Sequence, residues 1–339
     1  MSPGIGGGLG GAVGIAAETT YGTWVAPTRW VEVRSFKMQE RPKISQGTGL
    51  ASGRTVDLGT RRRETWTDAG GTMELEFLNQ GQALLLQHAM GSNATLIQNG
   101  TTTAYTLTAN YGVPDNQNYL SMQALVPDTS GAIKQQNFHG CKIQAVEWAI
   151  DMDNPLTWTH TIDSQQVTTA EAAGTPSYTA NTRTFTFQGM NFKVGAFGSE
   201  ATVDGVRKMT CKIERGLEVN RIYMGQASKS EPVTNAITKI SGTADVDLTA
   251  TNKSILWDLF HSQAAVPSIV MDFVGNTIGS SGKSDEFILN PTNVFIDQGG
   301  TPELDGPDIT KATINWSALI DAANDSALIA KLTTADSTM

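Results

Sequence analysis

Gly71-Thr72-Met73-Glu74-Leu75-Glu76-Phe77 alternates apolar and acidic residues, and Ala83-Leu84-Leu85-Leu86-Gln87-His88-Ala89-Met90 follows a short linker later. The same pattern returns as Gly242-Thr243-Ala244-Asp245-Val246-Asp247-Leu248, then Ser254-Ile255-Leu256-Trp257-Asp258-Leu259-Phe260-His261. The offset from Gly71 to Gly242 is 171 residues and holds without a gap through both segments. Alternation is the period of a strand with one wet and one dry face. The apolar doublets and triplets that come next have helical spacing. A period this long exceeds any solenoid repeat, so the chain reads as two domains of one fold in tandem.

Working outward, 339 residues suffice for two ordinary cores. Only 17% of residues are charged, and Gly, Thr, Ser and Asn separate short apolar runs, which favours β-sheet joined by turns. A net charge of -9 argues against wrapping nucleic acid or lying on an anionic membrane. No apolar run is long enough to span a bilayer as a helix. The glycine-rich start lacks a basic n-region, so it does not read as a signal peptide, and cytoplasmic synthesis fits best. Cys141 and Cys211 each precede Lys-Ile in a strand-like stretch and read as buried thiols rather than a disulfide framework or metal site.

Residues 1–20 form a small-residue segment expected to stay flexible until it docks. Gly6, Gly8 and Gly11 have a dinucleotide-binding spacing, but no strand precedes them and no βαβ unit follows. The first domain is placed at 21–165, a linker at 166–183 and the second domain at 184–339. Trp30 to Lys37 reads as a first strand. Residues 39–60 form a long arm with Arg41, Lys43 and Arg54, running into Arg61-Arg62-Arg63. Arg61–Trp66 and Thr72–Phe77 are expected to pair as a hairpin across Asp68-Ala69-Gly70-Gly71. A helix follows over 80–90, then a hairpin around Asn99-Gly100, a strand from Tyr119, and a long pair over 141–151 and 156–164. In the second half, Thr184 to Phe187 alternates as a strand does. Lys208–Glu214 is its first strand and 216–235 its arm, with Arg221 and Lys229 against Glu218 and Glu231. Ser268–Val274, 287–297 and 309–321 are further strands, and Asp325 caps a short terminal helix.

No constellation for catalysis emerges. His88, His139, His160 and His261 lack metal-ligand spacing, and no nucleophile elbow or Walker loop occurs. Glu74 with Glu76, and Asp245 with Asp247, place parallel carboxylates on one strand face, which suits a hydrated surface or channel lining better than an opposed acid and base. No cofactor and no metal are expected, and the chain does not read as an enzyme.

The segment Ala17-Glu18-Thr19-Thr20-Tyr21-Gly22-Thr23-Trp24-Val25-Ala26-Pro27-Thr28 resembles the opening of tail tube (major tail) proteins of long-tailed bacteriophages. The Gly70–Phe77 strand with its leucine-rich helix, and the basic loop before it, are similar to the same family. The resemblance runs in element order from about residue 14 to 320. It implies two tandem β-sandwich or barrel domains, each with a flanking helix and an extended arm. It also implies rings, trimeric with pseudo-sixfold symmetry when two domains share a chain, stacked into a hollow virion tail tube. Partners would be the chain itself, tape measure and tail-end proteins, and double-stranded DNA passing without specific binding. On that reading the arm cations Arg41, Lys43, Arg54, Arg61, Arg62, Arg63, Arg221 and Lys229 make inter-subunit contacts. Glu74, Glu76, Asp245 and Asp247 are candidates for an acidic lumen that repels phosphate. The alternative is a two-domain β-sandwich adhesin or carbohydrate-binding module. Such modules present exposed aromatic platforms, whereas Trp66, Trp148, Trp257 and Trp316 fall in expected core elements. A relative from a secretion or contractile machine would share the ring physics.

Overall fold

The computed structural model describes residues 8–111, 118–249, 252, 260–262, 266–298, 311–320 and 326–339. The chain is mainly β. The first half supplies β1 (Ala12–Glu18), β2 (Arg29–Val31), β3 (Ser35–Phe36), β4 (Gln39–Gln46), β5 (Arg62–Glu76) and helix α1 (Ala83–Ala89). It continues with β6 (Ile97–Gln98), β7 (Tyr105–Tyr111), β8 (Tyr119–Pro127), β9 (Ile133–Asp151), β10 (Thr157–Ser164) and β11 (Gln166–Thr168). The second half supplies β12 (Met190–Gly195), β13 (Ala201–Thr202), β14 (Val206–Glu218) and β15 (Val233–Asp247). Then come β16 (Val266–Thr277), β17 (Ser284–Gln298), β18 (Lys311–Ala318) and β19 (Leu328–Thr334).

All named strand pairs are antiparallel, and one order of neighbours occurs twice. In the first half it runs β1-β8-β9-β10-β5-β4, and in the second β12-β16-β17-β18-β15-β14. The motif strands β5 and β15 both have 15 residues and begin at positions 171 apart. Gly71 lies opposite Ile162, and Gly242 lies opposite Trp316. Beside each of those partners the next strand shifts register, at Thr161/Ile162 and at Ile296/Gln298. The motif glycines are required by close approach: a Cβ at Gly71 would meet the Lys37 carbonyl oxygen at 2.1 Å, and one at Gly242 the Thr210 carbonyl oxygen at 2.2 Å.

The halves are not separate globules. β14 pairs directly with β9, so the sheet passes from one half into the other. β19 pairs with β17 on one edge and with β7 of the first half on the other. A single buried cluster accordingly takes side chains from Val13 through to Leu332. Phe77 stacks on Phe287 with ring centroids 3.9 Å apart, and Phe77 meets Trp158 edge-on at 4.8 Å, so aromatic packing joins the halves.

Several local expectations are corrected. Residues 12–18 are not part of a free arm: they form β1, clasped between β2 and β8 and buried at all but one position. The expected hairpin across 68–71 is absent, because β5 runs unbroken through it with Ala69-Gly70-Gly71 packed against β4 and β10. The stretch 166–183, placed as the linker, is laid along the first half. β11 pairs with β9, the Gly174 N–H donates to Gln123 Oε1 at 2.8 Å, and Arg183 exchanges hydrogen bonds with Asn79. Thr184–Phe187 makes one bridge, Thr184 to Leu78, and then a 3-10 turn instead of a strand. The terminal helix is replaced by β19, since two strand edges offer it more hydrogen bonds than a lone helical turn would. The helix at 80–90 is present but shorter, as α1, and the second helix, 254–261, lies largely outside the described residues.

One core residue carries a pH consequence. His160 on β10 is fully buried, edge-on to Trp158 at 4.3 Å, and burial pushes its imidazole down to about 3. The unfolded chain binds a proton near 6.5, so the folded state loses stability as pH falls from there toward 3. Burial raises the Asp163 carboxyl to about 6, which acts with the opposite sign between about 4 and 6. We therefore expect His160→Leu to remove roughly 2–3 kcal/mol of the acid-induced loss between pH 6.5 and 4.5. Urea unfolding of both proteins at the two pH values measures it, and parallel pH slopes would show that His160 does not carry the effect.

Candidate assembly surfaces

The register gathers the four acidic candidates onto one sheet face. Across the sheet, Glu74 of β5 aligns with Thr159 of β10, Glu147 of β9, Lys212 of β14 and Ser241 of β15. Asp245 aligns with Lys208 and Asp151. Residues that pair directly point to the same side, so Glu74, Glu76, Asp245 and Asp247 share a continuous wet face spanning both halves. The opposite face is dry: Met73, Leu75, Trp148, Trp158, Met209, Cys211, Ala244 and Trp316 are all buried. The wet face is not uniformly acidic. Arg34 approaches Glu74 at 3.5 Å, Arg207 grips Asp247 through two nitrogens, and Lys311 lies opposite Asp247. Thr313 donates to Asp245 at 2.7 Å.

The arm cations separate into two groups. Arg41 stands on β4 and donates to Asp68 at 2.7 Å, while Lys43 sits 5.6 Å from the Trp66 ring centroid. Arg54, Arg61, Arg62 and Arg63 are exposed. β4 and the start of β5 form a solvent-facing ribbon, closed at its tip by the Gly47 N–H donating to the Arg61 carbonyl at 3.2 Å. Beyond that closure the first arm, 47–61, exposes Leu50, Val56 and Leu58.

The second arm, 219–232, does the reverse and is docked on the first half of its own chain. Lys229 is 2% exposed and its ammonium pairs with Asp163. The Thr67 N–H donates to the Ala227 carbonyl at 3.0 Å, and Gln165 Nε2 donates to the Lys229 carbonyl at 3.1 Å. Lys142, itself buried, reaches Glu231 at 3.3 Å and the Pro232 carbonyl at 3.1 Å. Arg221 donates to the Glu231 carbonyl at 2.6 Å and braces the arm from within. The sequence alone groups Lys229 with the cations of the inter-subunit arms. Its neighbours on the chain carry no sign of burial, and the partner Asp163 is far away in sequence.

A third junction was not legible at all. Arg215 on β14 is buried and donates to the carbonyls of His88 and Ala89 at 2.8 and 2.9 Å, and to Ile143 at 3.3 Å. It thus places a guanidinium on the C-terminal carbonyls of α1, where positive charge is favoured. Beside it opens a cavity of about 460 Å³ lined by Ile237, Thr238, Ile240, Ala318, Leu319 and Ile320, among others.

Among the described residues the histidines and cysteines are engaged or buried. His88 bonds to the Leu84 carbonyl at 2.9 Å, and His139 to the Thr168 hydroxyl at 2.9 Å. Cys141 and Cys211 are free and buried, and burial raises both thiols, which disfavours the reactive thiolate. Among the described residues no group of three or more His, Cys, Asp or Glu is placed to hold a metal ion, and no helix is long and apolar enough to cross a membrane. Of the four tryptophans expected in core elements, Trp148 and Trp316 lie inside the core, as does Trp158, whereas Trp66 is half-buried beside Lys43 and Trp257 lies outside the described residues. A family model described as phage tail tube protein matches residues 8–318. Among curated proteins none matches significantly.

Breaking the buried pair strands a charge, and such losses cost about 3–5 kcal/mol. Lys229→Ala is therefore expected to lower stability by about 3 kcal/mol in urea unfolding, with much of the loss recovered by adding Asp163→Asn. A single substitution costing under about 0.5 kcal/mol would mean that the second arm is not held by this pair.

Proposed function

The chain belongs to the phage tail tube protein family, so its role is structural and its place is the virion tail; from that premise we propose that it polymerises into stacked rings forming a hollow conduit for the genome. The observation that carries this reading is the doubled strand order with a direct β14–β9 joint between the copies. Such a joint is heterologous, one face of a unit on a different face of the next, and heterologous contacts propagate into rings or filaments. Two equivalent units per chain favour trimers with pseudo-sixfold symmetry.

The sheet's borders support self-association. Within the described residues β4 hydrogen-bonds only to β5, and its residues are exposed throughout except Gln46. An unpaired edge of this length is normally covered or completed, and a ring completes it without aggregation. The wet face offers a lining for the bore: hydroxyls and paired charges, with Glu74, Glu76, Asp245 and Asp247 discouraging retention of phosphate by counterion release. DNA would pass without specific binding. Tape measure and tail-end proteins are the further partners, with synthesis and assembly in the host bacterial cytoplasm. No enzymatic role is part of this proposal.

Negative-stain microscopy of the purified chain tests it. Rings of three chains, or long hollow rods, are expected at moderate concentration. A monodisperse monomer that persists as concentration rises would sink the reading, and rings of six chains would remove the pseudo-sixfold part alone. For the bore, Glu76→Lys with Asp245→Lys is expected to leave tube length unchanged and to slow DNA release from assembled particles. Unchanged release would take those residues off the lumen.

A further inference from the structure

We propose that the first arm, 47–61, of one copy docks in the apolar groove beside Leu319 and Ile320 of a neighbouring copy, as the second arm docks on the first half within the chain. This rests on the self-assembling reading above and names the contact that reading leaves open.

The argument starts from register. Gly70 lies opposite Asp163 on β10, and Ser241, its counterpart in the second half, lies opposite Ser317 on β18. Ala69 opposite Ser164 likewise corresponds to Ile240 opposite Ala318. Counting on from those pairs, Gln165 corresponds to Leu319, Gln166 to Ile320 and Thr67 to Thr238. Asp163, Gln165 and Thr67 are three of the residues that receive the second arm. Asp163 corresponds to Ser317, at the border of the cavity's lining, while the counterparts of Gln165 and Thr67, Leu319 and Thr238, line the cavity of about 460 Å³ together with Ile237, Ile240, Ala318 and Ile320. Two positions of the seat are therefore repeated in the second half, and among the described residues neither arm of this chain lines the cavity.

The arm that would fill it is repeated as well. The first arm precedes β5 as the second precedes β15, and Leu58 stands as far before Arg62 as Lys229 stands before Val233. Chemistry changes in step on both sides. Where the second arm carries Lys229, the seat on the first half carries Asp163. Where the first arm carries Leu58, with Val56 beside it, the seat on the second half carries the neutral Ser317 in place of Asp163, and Leu319 and Ile320 in place of glutamines. Val56 is 78% exposed, Ile237 91%, Leu319 53% and Ile320 52%, so both surfaces present exposed apolar side chains. Large apolar side chains clustered in this way mark a contact to be made. The operation carrying the first half onto the second, applied again, sets the first half of the next copy beside this groove. The occupant is thus a second copy of the same chain.

Cross-linking decides it. Leu58→Cys and Leu319→Cys are made in separate full-length chains, which are purified, mixed under assembly conditions and treated with a short bismaleimide. The native thiols are buried, so background is low. Covalent dimers are expected only in the mixture and only between the two different variants. Assembled rods without that cross-link would overturn the docking site while leaving the tube reading intact. Failure of the wild-type chain to assemble at any concentration would overturn both. In parallel, Val56→Asp with Leu58→Asp should leave the thermal unfolding of the monomer unchanged, since both residues face solvent. It should raise the concentration needed for assembly at least about tenfold, given the apolar area lost from the contact. An unshifted assembly concentration would count against the inference, and recovery of assembly by Val56→Ile with Leu58→Met would support an apolar seat.

Discussion

The hydrogen-bonded seam between β14 and β9 is the constraint on which the molecule depends. From Lys208 opposite Asp151 to Glu214 opposite Ala145, every described pair in it is in register. A sheet that continues across two halves must keep one face wet and one dry through the junction, because a slip of a single residue exchanges the faces. That is why Glu147 and Lys212 fall in line with Glu74, and why Trp148 and Cys211 fall in line with the core. The halves gain a common interior as a result, with Phe77 and Phe287 packed ring on ring.

Much of this could be read from residues alone wherever the information was local. Alternation at 71–77 and 242–247 placed the motif strands, because a half-buried strand must alternate. The acidic pairs were assigned to a wet face for the same reason, and the structure puts all four on one such face. Glycine misled twice. Ala69-Gly70-Gly71 has the composition of a turn, yet those glycines are there to let β4 and β10 come close, where a Cβ at Gly70 would meet the Ile162 carbonyl oxygen at 2.8 Å. The glycine-rich start looked unanchored, although Val13, Ile15 and Ala16 are buried between two strands. Buried on both sides, β1 has no polar face and therefore no alternation to detect.

What stayed hidden depends on partners distant in sequence. β19 is a strand because β7 and β17 each present it an edge, and nothing in Leu328–Thr334 itself announces that. Arg215 carries no local mark of its role, because it is held by the end of a helix from the other half. Lys229 belongs to the same class, since a lysine's burial is decided by the carboxylate it meets.

The buried Lys229–Asp163 contact has one more consequence. With equivalent seats on a chain, the hazard in growth is an error of half a molecule, a newcomer settling on the wrong one. A leucine placed against Asp163 would leave a carboxylate stranded without water, and an ammonium pushed among Leu319 and Ile320 would be stranded in oil. Each mistake carries its own penalty, so on the proposed docking the unlike chemistry of two look-alike joints acts as a proofreading rule for placement.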